Sequence, residues 1–166
     1  MLFDTHAHYD DERFDGDREA LLAGMPEKNV GLIVNPGCDI ASSRTAVALA
    51  ESFDFVYAAV GIHPENCGDF EPGMIDQLRQ MAKNPRVVAI GEIGLDYYWE
   101  DNPSRTFQQT VFRKQLALAA ELDLPVIVHD REAYGDCLAI IKEFPTVTGV
   151  FHCFSGSPEM AEELLK

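Results

Sequence analysis

Short apolar runs alternate with longer segments of helical periodicity along the whole sequence. The runs are rich in β-branched residues and apolar on both faces, which is typical of parallel strands covered by helices. Repeated βα units are therefore predicted. The six predicted strands are Met1–Thr5, Val30–Asn35, Phe55–Val60, Val87–Gly91, Pro125–Val128 and Thr148–Phe151.

Two of the intervening segments carry signals for the start of a helix. Asn102-Pro103 predicts an N-cap followed by proline at the first helical position, and Ser157-Pro158 repeats this arrangement. Apolar residues recur at helical spacing between positions 107 and 122, which predicts a long helix packed on the sheet. No linker interrupts the series, so residues 1–166 are predicted to form one domain.

Composition and charge exclude several classes of protein. The 166 residues are 46% hydrophobic and 25% charged, which is typical of a globular domain, and the net charge of −15 argues against a protein that coats nucleic acid. GxSxG, P-loop and GxGxxG motifs are absent. With no signal peptide and no long apolar run, a soluble cytoplasmic protein is expected. The four cysteines lack CxxC spacing and are expected to be reduced and mostly packed, including Cys153.

Candidate chemistry lies where the predicted strands end. All five histidines and one glutamate fall at or just beyond a carboxyl-terminal strand end, the edge at which parallel βα folds place their active sites. His6 and His8 form an HxH pair whose imidazoles project to one side of an extended chain. Side chains from the first and sixth strands meet only if the sheet is curved, so a metal site favours a barrel over an open sheet. The six residues are His6, His8, His63, Glu92, His129 and His152.

Five motifs give the sequence a resemblance to a known family. They are similar, in order and spacing, to motifs of the TatD family of metal-dependent deoxyribonucleases, within the amidohydrolase-type TIM barrels. The resemblance implies a parallel (β/α)8 TIM-type barrel, of which about six βα units are present in residues 1–166 and the last two are lacking. The motifs are DTHAH (4–8), GIHP (61–64), GEIGLDYY (91–98), PVIVHDRE (125–132) and FHCFSG (151–156).

The resemblance also implies a site for two divalent metal ions, Mg, Mn or Zn. In this arrangement His6 and His8 hold one ion, His129 and His152 hold the other, and Glu92 bridges them. Imidazole and carboxylate ligands independently suit these metals. The family uses a further aspartate, from the end of the eighth strand, and that residue is absent from this sequence.

Three further positions are candidates for substrate contact. By resemblance, His63 would contact a substrate phosphate, although a hydrogen bond within its own turn would also explain it. Arg131 follows His129 by two residues and could clamp a phosphate, or form a salt bridge at a helix entry. Tyr97, with Tyr98 and Trp99, could stack on bases or simply pack as a lid.

The expected function is that of a metal-dependent hydrolase acting on DNA phosphodiester bonds, as a 3′-end exodeoxyribonuclease on single-stranded ends. One alternative is a small-molecule amidohydrolase acting on a cyclic amide or lactone, although such sites often carry a bridging lysine where this chain has Glu92. The other is a non-catalytic fragment of the nuclease. No membrane partner is expected. A full-length protein would be a monomer, whereas a truncated form could self-associate through its free strand edges.

Overall fold

The structure is a computed structural model that describes residues 1–165. Six strands alternate with six helices, and short 3-10 turns occur at Glu12–Phe14, Pro26–Lys28 and Pro64–Asp69. In chain order the elements are β1 (Leu2–Asp4), α1 (Arg18–Ala23), β2 (Val30–Pro36), α2 (Ile40–Ser52), β3 (Val56–Val60), α3 (Pro72–Met81), β4 (Val87–Asp96), α4 (Arg105–Leu122), β5 (Val126–Arg131), α5 (Tyr134–Ile141), β6 (Gly149–Phe151) and α6 (Pro158–Leu164).

All six strands belong to one parallel sheet in the order β1 to β6. The six predicted strands are confirmed, with shifts of one residue at several ends and longer extensions of β4 and β5. β4 continues past Gly91 to Asp96, and β5 continues past Val128 to Arg131, because these extensions pair with each other, Gly94 with His129 and Asp96 with Arg131. These extensions place polar and ionisable side chains beyond the ends of the other strands.

The sheet is curled, as the contact between its two edges shows. His6, just beyond β1, stacks on His152, just beyond β6, with ring centroids 4.0 Å apart. In a flat sheet the first and sixth strands would be about 24 Å apart, because neighbouring strands are spaced by about 4.8 Å. The predicted barrel-type α/β fold is therefore confirmed for the part of the chain described.

The core has two layers that alternate along the strands β2 to β5. Residues such as Ile33, Ala58 and Ile90 face the helices and belong to the main hydrophobic cluster. Their neighbours in the strands form a smaller cluster on the concave face, consisting of Val34, Ala59, Ala89 and Ile127. His129 follows Ile127 by two residues, so the period of two along β5 places its side chain on the concave face.

One predicted helix start is wrong and the other is confirmed. α4 begins at Arg105 with Ser104 as its N-cap, not at Asn102-Pro103. The side chain of Asn102 instead donates to the carbonyl and carboxylate oxygens of Asp96, which holds it in the preceding loop. α6 begins as predicted, since the Ser157 hydroxyl accepts the Met160 N–H and Pro158 occupies the first turn.

The cysteines are all free thiols within residues 1–165, and three of the four are at least partly buried. The expected packing of Cys153 is wrong: its side chain is exposed. The reason is that β6 ends at Phe151 and the chain then turns, giving Cys153 a φ of 45° in place of a strand conformation. No helix within the described range is long and apolar enough to cross a membrane.

Candidate metal centre

The carboxylate of Glu92 lies at the centre of a ring of histidines. Glu92 is only 3% exposed, and its Oε2 atom faces the HxH pair. It lies 3.2 Å from His6 Nε2 and 3.4 Å from His8 Nε2, and these two nitrogens are 2.9 Å apart. Three potential ligand atoms therefore converge at this side of Glu92.

The other carboxylate oxygen of Glu92 faces a second set of histidines. Oε1 lies 2.7 Å from His152 Nε2, 3.0 Å from His129 Nδ1 and 3.5 Å from His63 Nε2. His129 Nδ1 and His152 Nε2 are themselves 3.3 Å apart. The two oxygens of one buried carboxylate thus separate the histidines into two sets, with His6 and His8 in one set.

An irregularity in β4 directs Glu92 into the site. Between Ile90 and Ile93 the pairing of β4 with β5 shifts register, which marks a bulge of the kind that redirects side chains beside functional sites. The flanking glycines are required by close packing. A Cβ on Gly91 would lie 2.7 Å from Cβ of Ile127, and Gly94 has a φ of 141°, a value that L side chains rarely adopt.

The HxH pair is held by contacts with β2. The Ala7 N–H donates to the Val34 carbonyl, so the extended chain continues beside β2 after β1 has ended. The fully buried Asn35 accepts the Tyr9 N–H at 2.6 Å and donates to the Asp10 carboxylate at 2.8 Å. These hydrogen bonds hold the segment that carries both histidines against β2.

Asp96 lies behind His129 and is fully buried. Its Oδ2 atom is 3.0 Å from His129 Nε2, while Oδ1 accepts the Tyr98 N–H and the Asn102 amide. The Asp96 carboxylate only accepts hydrogen bonds, so it keeps a proton on Nε2 of His129 and leaves Nδ1, which faces Glu92, as the ring nitrogen that can give up its proton to a metal ion. Asp96 therefore selects the tautomer that is competent to bind a metal.

Comparisons with known proteins identify the family of this chain. The sequence profile described as "TatD related DNase" matches residues 3–166. The chain belongs to the TatD family. A TatD-family homologue of known structure, YjjV from Escherichia coli, has 38% identical residues and superposes with a TM-score of 0.90 over 99% of this chain and 64% of that one.

Curated relatives carry names of two kinds. The "uncharacterized metal-dependent hydrolase YabD" of Bacillus subtilis is 42% identical over all of this chain and 66% of its own length. The "3'-5' ssDNA/RNA exonuclease TatD" of Musicola paradisiaca is 32% identical over 99% of this chain and 63% of its own. The chain thus spans slightly under two thirds of the length of these relatives. It belongs to a family of metal-dependent hydrolases and nucleases acting on ester bonds.

The electrostatics of the centre favour an ionised Glu92. Burial alone would raise the pKa of Glu92, but hydrogen bonds from the surrounding histidines outweigh burial and hold that pKa far below its usual range. Burial lowers the pKa of His129, yet the hydrogen bonds and charges of Glu92 and Asp96 outweigh it and raise the pKa overall. Hydrogen bonds with Asp10, Cys38 and Glu92 likewise raise the pKa of His8.

The donor set fits the metal on which the TatD family depends. His6, His8 and Glu92 bring one ligand atom each within 4.8 Å of one another, and so do His63, Glu92 and His129. Neutral imidazoles and a carboxylate are the ligands that zinc and manganese prefer, and carboxylates with open water positions admit magnesium.

The residues predicted to contact substrate lie in three different environments. His63 is buried, and its Nδ1 atom accepts the Glu65 N–H, so its turn fixes the ring with Nε2 towards Glu92. Arg131 is exposed and forms no salt bridge within residues 1–165, while its guanidinium lies over Tyr98. The ring of Tyr97 is covered by the Arg105 guanidinium, at 4.4 Å from the ring centroid.

Two positioning residues on α4 were missed by the sequence analysis. The buried Gln108 side chain bonds both the N–H and the carbonyl of Asp96, and the buried Gln115 side chain does the same for Ile62, beside His63. Seven residues apart, they lie two turns apart on one helix face. The sequence did indicate these two residues, because both glutamines fall among the apolar positions predicted for α4.

Proposed function

We propose that the protein hydrolyses DNA phosphodiester bonds with two divalent ions, as an exonuclease acting at the 3′ ends of single-stranded DNA. The observation that carries the proposal is the position of Glu92, whose two carboxylate oxygens face two separate sets of histidines. Support for the substrate comes from the family description as DNases and from relatives named as ssDNA/RNA exonucleases.

In this proposal, His6 and His8 hold one ion, His129 and His152 hold the other, and Glu92 bridges them. The bound ions, Mg, Mn or Zn, would supply Lewis acidity for activating a water molecule and positive charge for neutralising the phosphodiester. The aspartate that the family resemblance places on an eighth strand has no counterpart in residues 1–166, and no described residue is assigned its role.

The remaining roles belong to side chains around the centre. Nδ1 of His63 accepts a backbone N–H, so Nε2 is the ring nitrogen that faces the centre and would contact a phosphate oxygen. Arg131 offers a guanidinium with no competing carboxylate in the described chain. Tyr97 supports the loop that carries the next two aromatic residues, with its hydroxyl bonded to Asp136.

The charge of the protein shapes how it would meet its substrate. A net charge of −15 repels a polyanion at long range, so attraction must be local and arise from cations held at the centre. The free thiols in the described chain fit the reducing cytoplasm, the compartment that we propose.

The proposal is tested with a single-stranded oligonucleotide labelled at its 5′ end. We expect stepwise shortening from the 3′ end in Mg²⁺ or Mn²⁺, abolished by a chelator and restored by added metal. Glu92→Gln should be inactive, whereas the matched control Glu121→Gln changes only an exposed partner of Arg79 and should retain activity. Efficient turnover of a cyclic amide without nuclease activity would favour the amidohydrolase alternative. A folded, metal-loaded protein inactive on both substrates would indicate a non-catalytic role.

A further inference from the structure

An exposed aromatic surface lies beside the metal centre. Tyr98 is 45% exposed and Trp99 is 51% exposed, and their rings meet edge to face with centroids 4.6 Å apart. The Arg131 guanidinium lies 3.9 Å from the Tyr98 ring centroid and 5.3 Å from that of Trp99. These three side chains are called the stacking ledge below.

The aromatic rings of Tyr98 and Trp99 are exposed to solvent side by side and form one surface. The guanidinium of Arg131 is also exceptional in this acidic chain. Most of the arginines are paired with acidic side chains, and Arg44 bonds Gln77. Within residues 1–165 only Arg105 and Arg131 lack such partners, and both lie over tyrosines that follow β4. A planar cation and aromatic rings together form a surface suited to stacking on a nucleobase.

The stacking ledge is connected rigidly to the metal centre. Asp96 bonds His129 through one carboxylate oxygen and the Tyr98 N–H through the other. Arg131 follows His129 by two residues in β5, a distance of about 7 Å at the rise of a strand. A nucleotide whose phosphate reaches the centre therefore has a base within reach of the ledge.

We propose that the stacking ledge of Tyr98, Trp99 and Arg131 binds a nucleobase of single-stranded substrate beside the scissile phosphodiester. The inference rests on the proposed nuclease function and names the substrate feature that this site recognises, an unpaired base. Stacking is tolerant of sequence, because every base offers a π face. The ledge thus predicts selectivity for unpaired ends without preference for a particular base.

Electrostatics distinguish this mode of binding from a phosphate groove. Glu100, Asp101 and Glu132 are exposed near the ledge in sequence, so the neighbourhood is not a basic channel. Each neutralised phosphate contributes a slope of about −0.7 to the dependence of log affinity on log salt for single strands. We therefore expect a slope no steeper than about −0.7, corresponding to one contact from Arg131.

Trp99 is the only tryptophan in the sequence, so its fluorescence reports on the ledge directly. The experiment titrates the Mg²⁺-loaded protein with a short phosphorothioate oligothymidylate, which resists hydrolysis, and with an abasic phosphorothioate strand of equal length and charge. We expect quenching by the oligothymidylate and binding weaker by about 5- to 150-fold for the abasic strand. Equal quenching and affinity for the two strands would overturn the proposal.

Variants provide a second readout. By fluorescence anisotropy of labelled oligothymidylate, Trp99→Leu and Tyr98→Ala should each weaken binding at least about 5-fold. The matched controls Phe107→Leu and Arg113→Gln change an exposed aromatic and a paired arginine on α4 and should leave it unchanged. Metal affinity should be normal in Trp99→Leu. Hydrolysis of DNA by the unsubstituted protein, without quenching of Trp99 fluorescence, would refute base binding at the stacking ledge. The nuclease function would then still stand. Quenching specific to bases without hydrolysis would support the ledge and refute the nuclease function.

Discussion

Replacing Asp96 by asparagine should switch the tautomer of His129. In Asp96→Asn, the retained Oδ1 atom still accepts the Tyr98 N–H and the Asn102 amide. The Oδ2 atom, however, becomes an NH2 group that donates towards His129 Nε2. His129 then keeps its lone pair on Nε2 and carries its proton on Nδ1, the atom that faces Glu92. That proton blocks the ligand position.

The size of the effect follows from the burial of Asp96. Removing a carboxylate behind a ligating histidine typically costs 10- to 100-fold in metal affinity, or about 1.4 to 2.8 kcal/mol. Asp96 is fully buried, so water cannot replace the lost acceptor. The expected loss is therefore about 100-fold. Replacing the charged hydrogen bond with a neutral one should also lower the free energy of unfolding by about 1 kcal/mol.

Isothermal titration calorimetry with Mn²⁺ measures the affinity, and nitrogen-15 spectra of the metal-free protein, recorded at a pH where His129 is neutral, report its tautomer. Asp136→Asn is the matched control, because it changes an exposed carboxylate that bonds the Tyr97 hydroxyl. Circular dichroism verifies that both variants fold. Unchanged Mn²⁺ affinity in a folded Asp96→Asn variant, or an unchanged tautomer, would refute the reasoning.

Three other substitutions probe the centre and its supports. Glu92→Gln removes the charge between the two histidine sets and should lose at least one ion by elemental analysis; unchanged stoichiometry would contradict its bridging role. Gln115→Leu leaves the buried N–H and carbonyl of Ile62 unpaired. It should lower the free energy of unfolding, measured in urea, by about 1 to 3 kcal/mol. An unchanged midpoint of urea unfolding would show that Gln115 does not stabilise this segment. Gly94→Ala places a Cβ against the His129 carbonyl at a φ of 141° and should cost at least about 2 kcal/mol in the same assay; a neutral result would show that β4 can relax there.

The histidine cluster could be predicted from the sequence because it depends on one general property of parallel sheets. Each histidine follows an apolar run, and strand ends lie along one edge, so His6 and His152 could be brought together once a curved sheet was inferred. The role of Asp96 could not be found in this way. Asp96 meets Nε2 of His129 because of the bulge in β4 and the register of β4 with β5. The spacing of hydrophobic residues in the sequence indicates neither feature.

Local signals failed where a tertiary contact competed with them. The side chain of Asn102 has the chemistry of an N-cap, but the buried Asp96 takes its amide, so α4 starts later. Cys153 was expected to pack as a strand residue, but the strand ends two positions earlier. Gln108 and Gln115 follow the spacing of apolar positions because their partners are buried backbone groups at the end of β4 and just after β3, not solvent.

Because His6 stacks on His152, the centre is assembled from residues that are synthesised at very different times. A ribosome delivers the HxH pair almost at once, but the histidine opposite it emerges only after five further strands have been made. A growing chain therefore holds half a donor set until nearly all the residues between them are available to fold. The set of residues proposed to hold the metal ions is therefore incomplete in a nascent chain until β6 and the residue that follows it have been made.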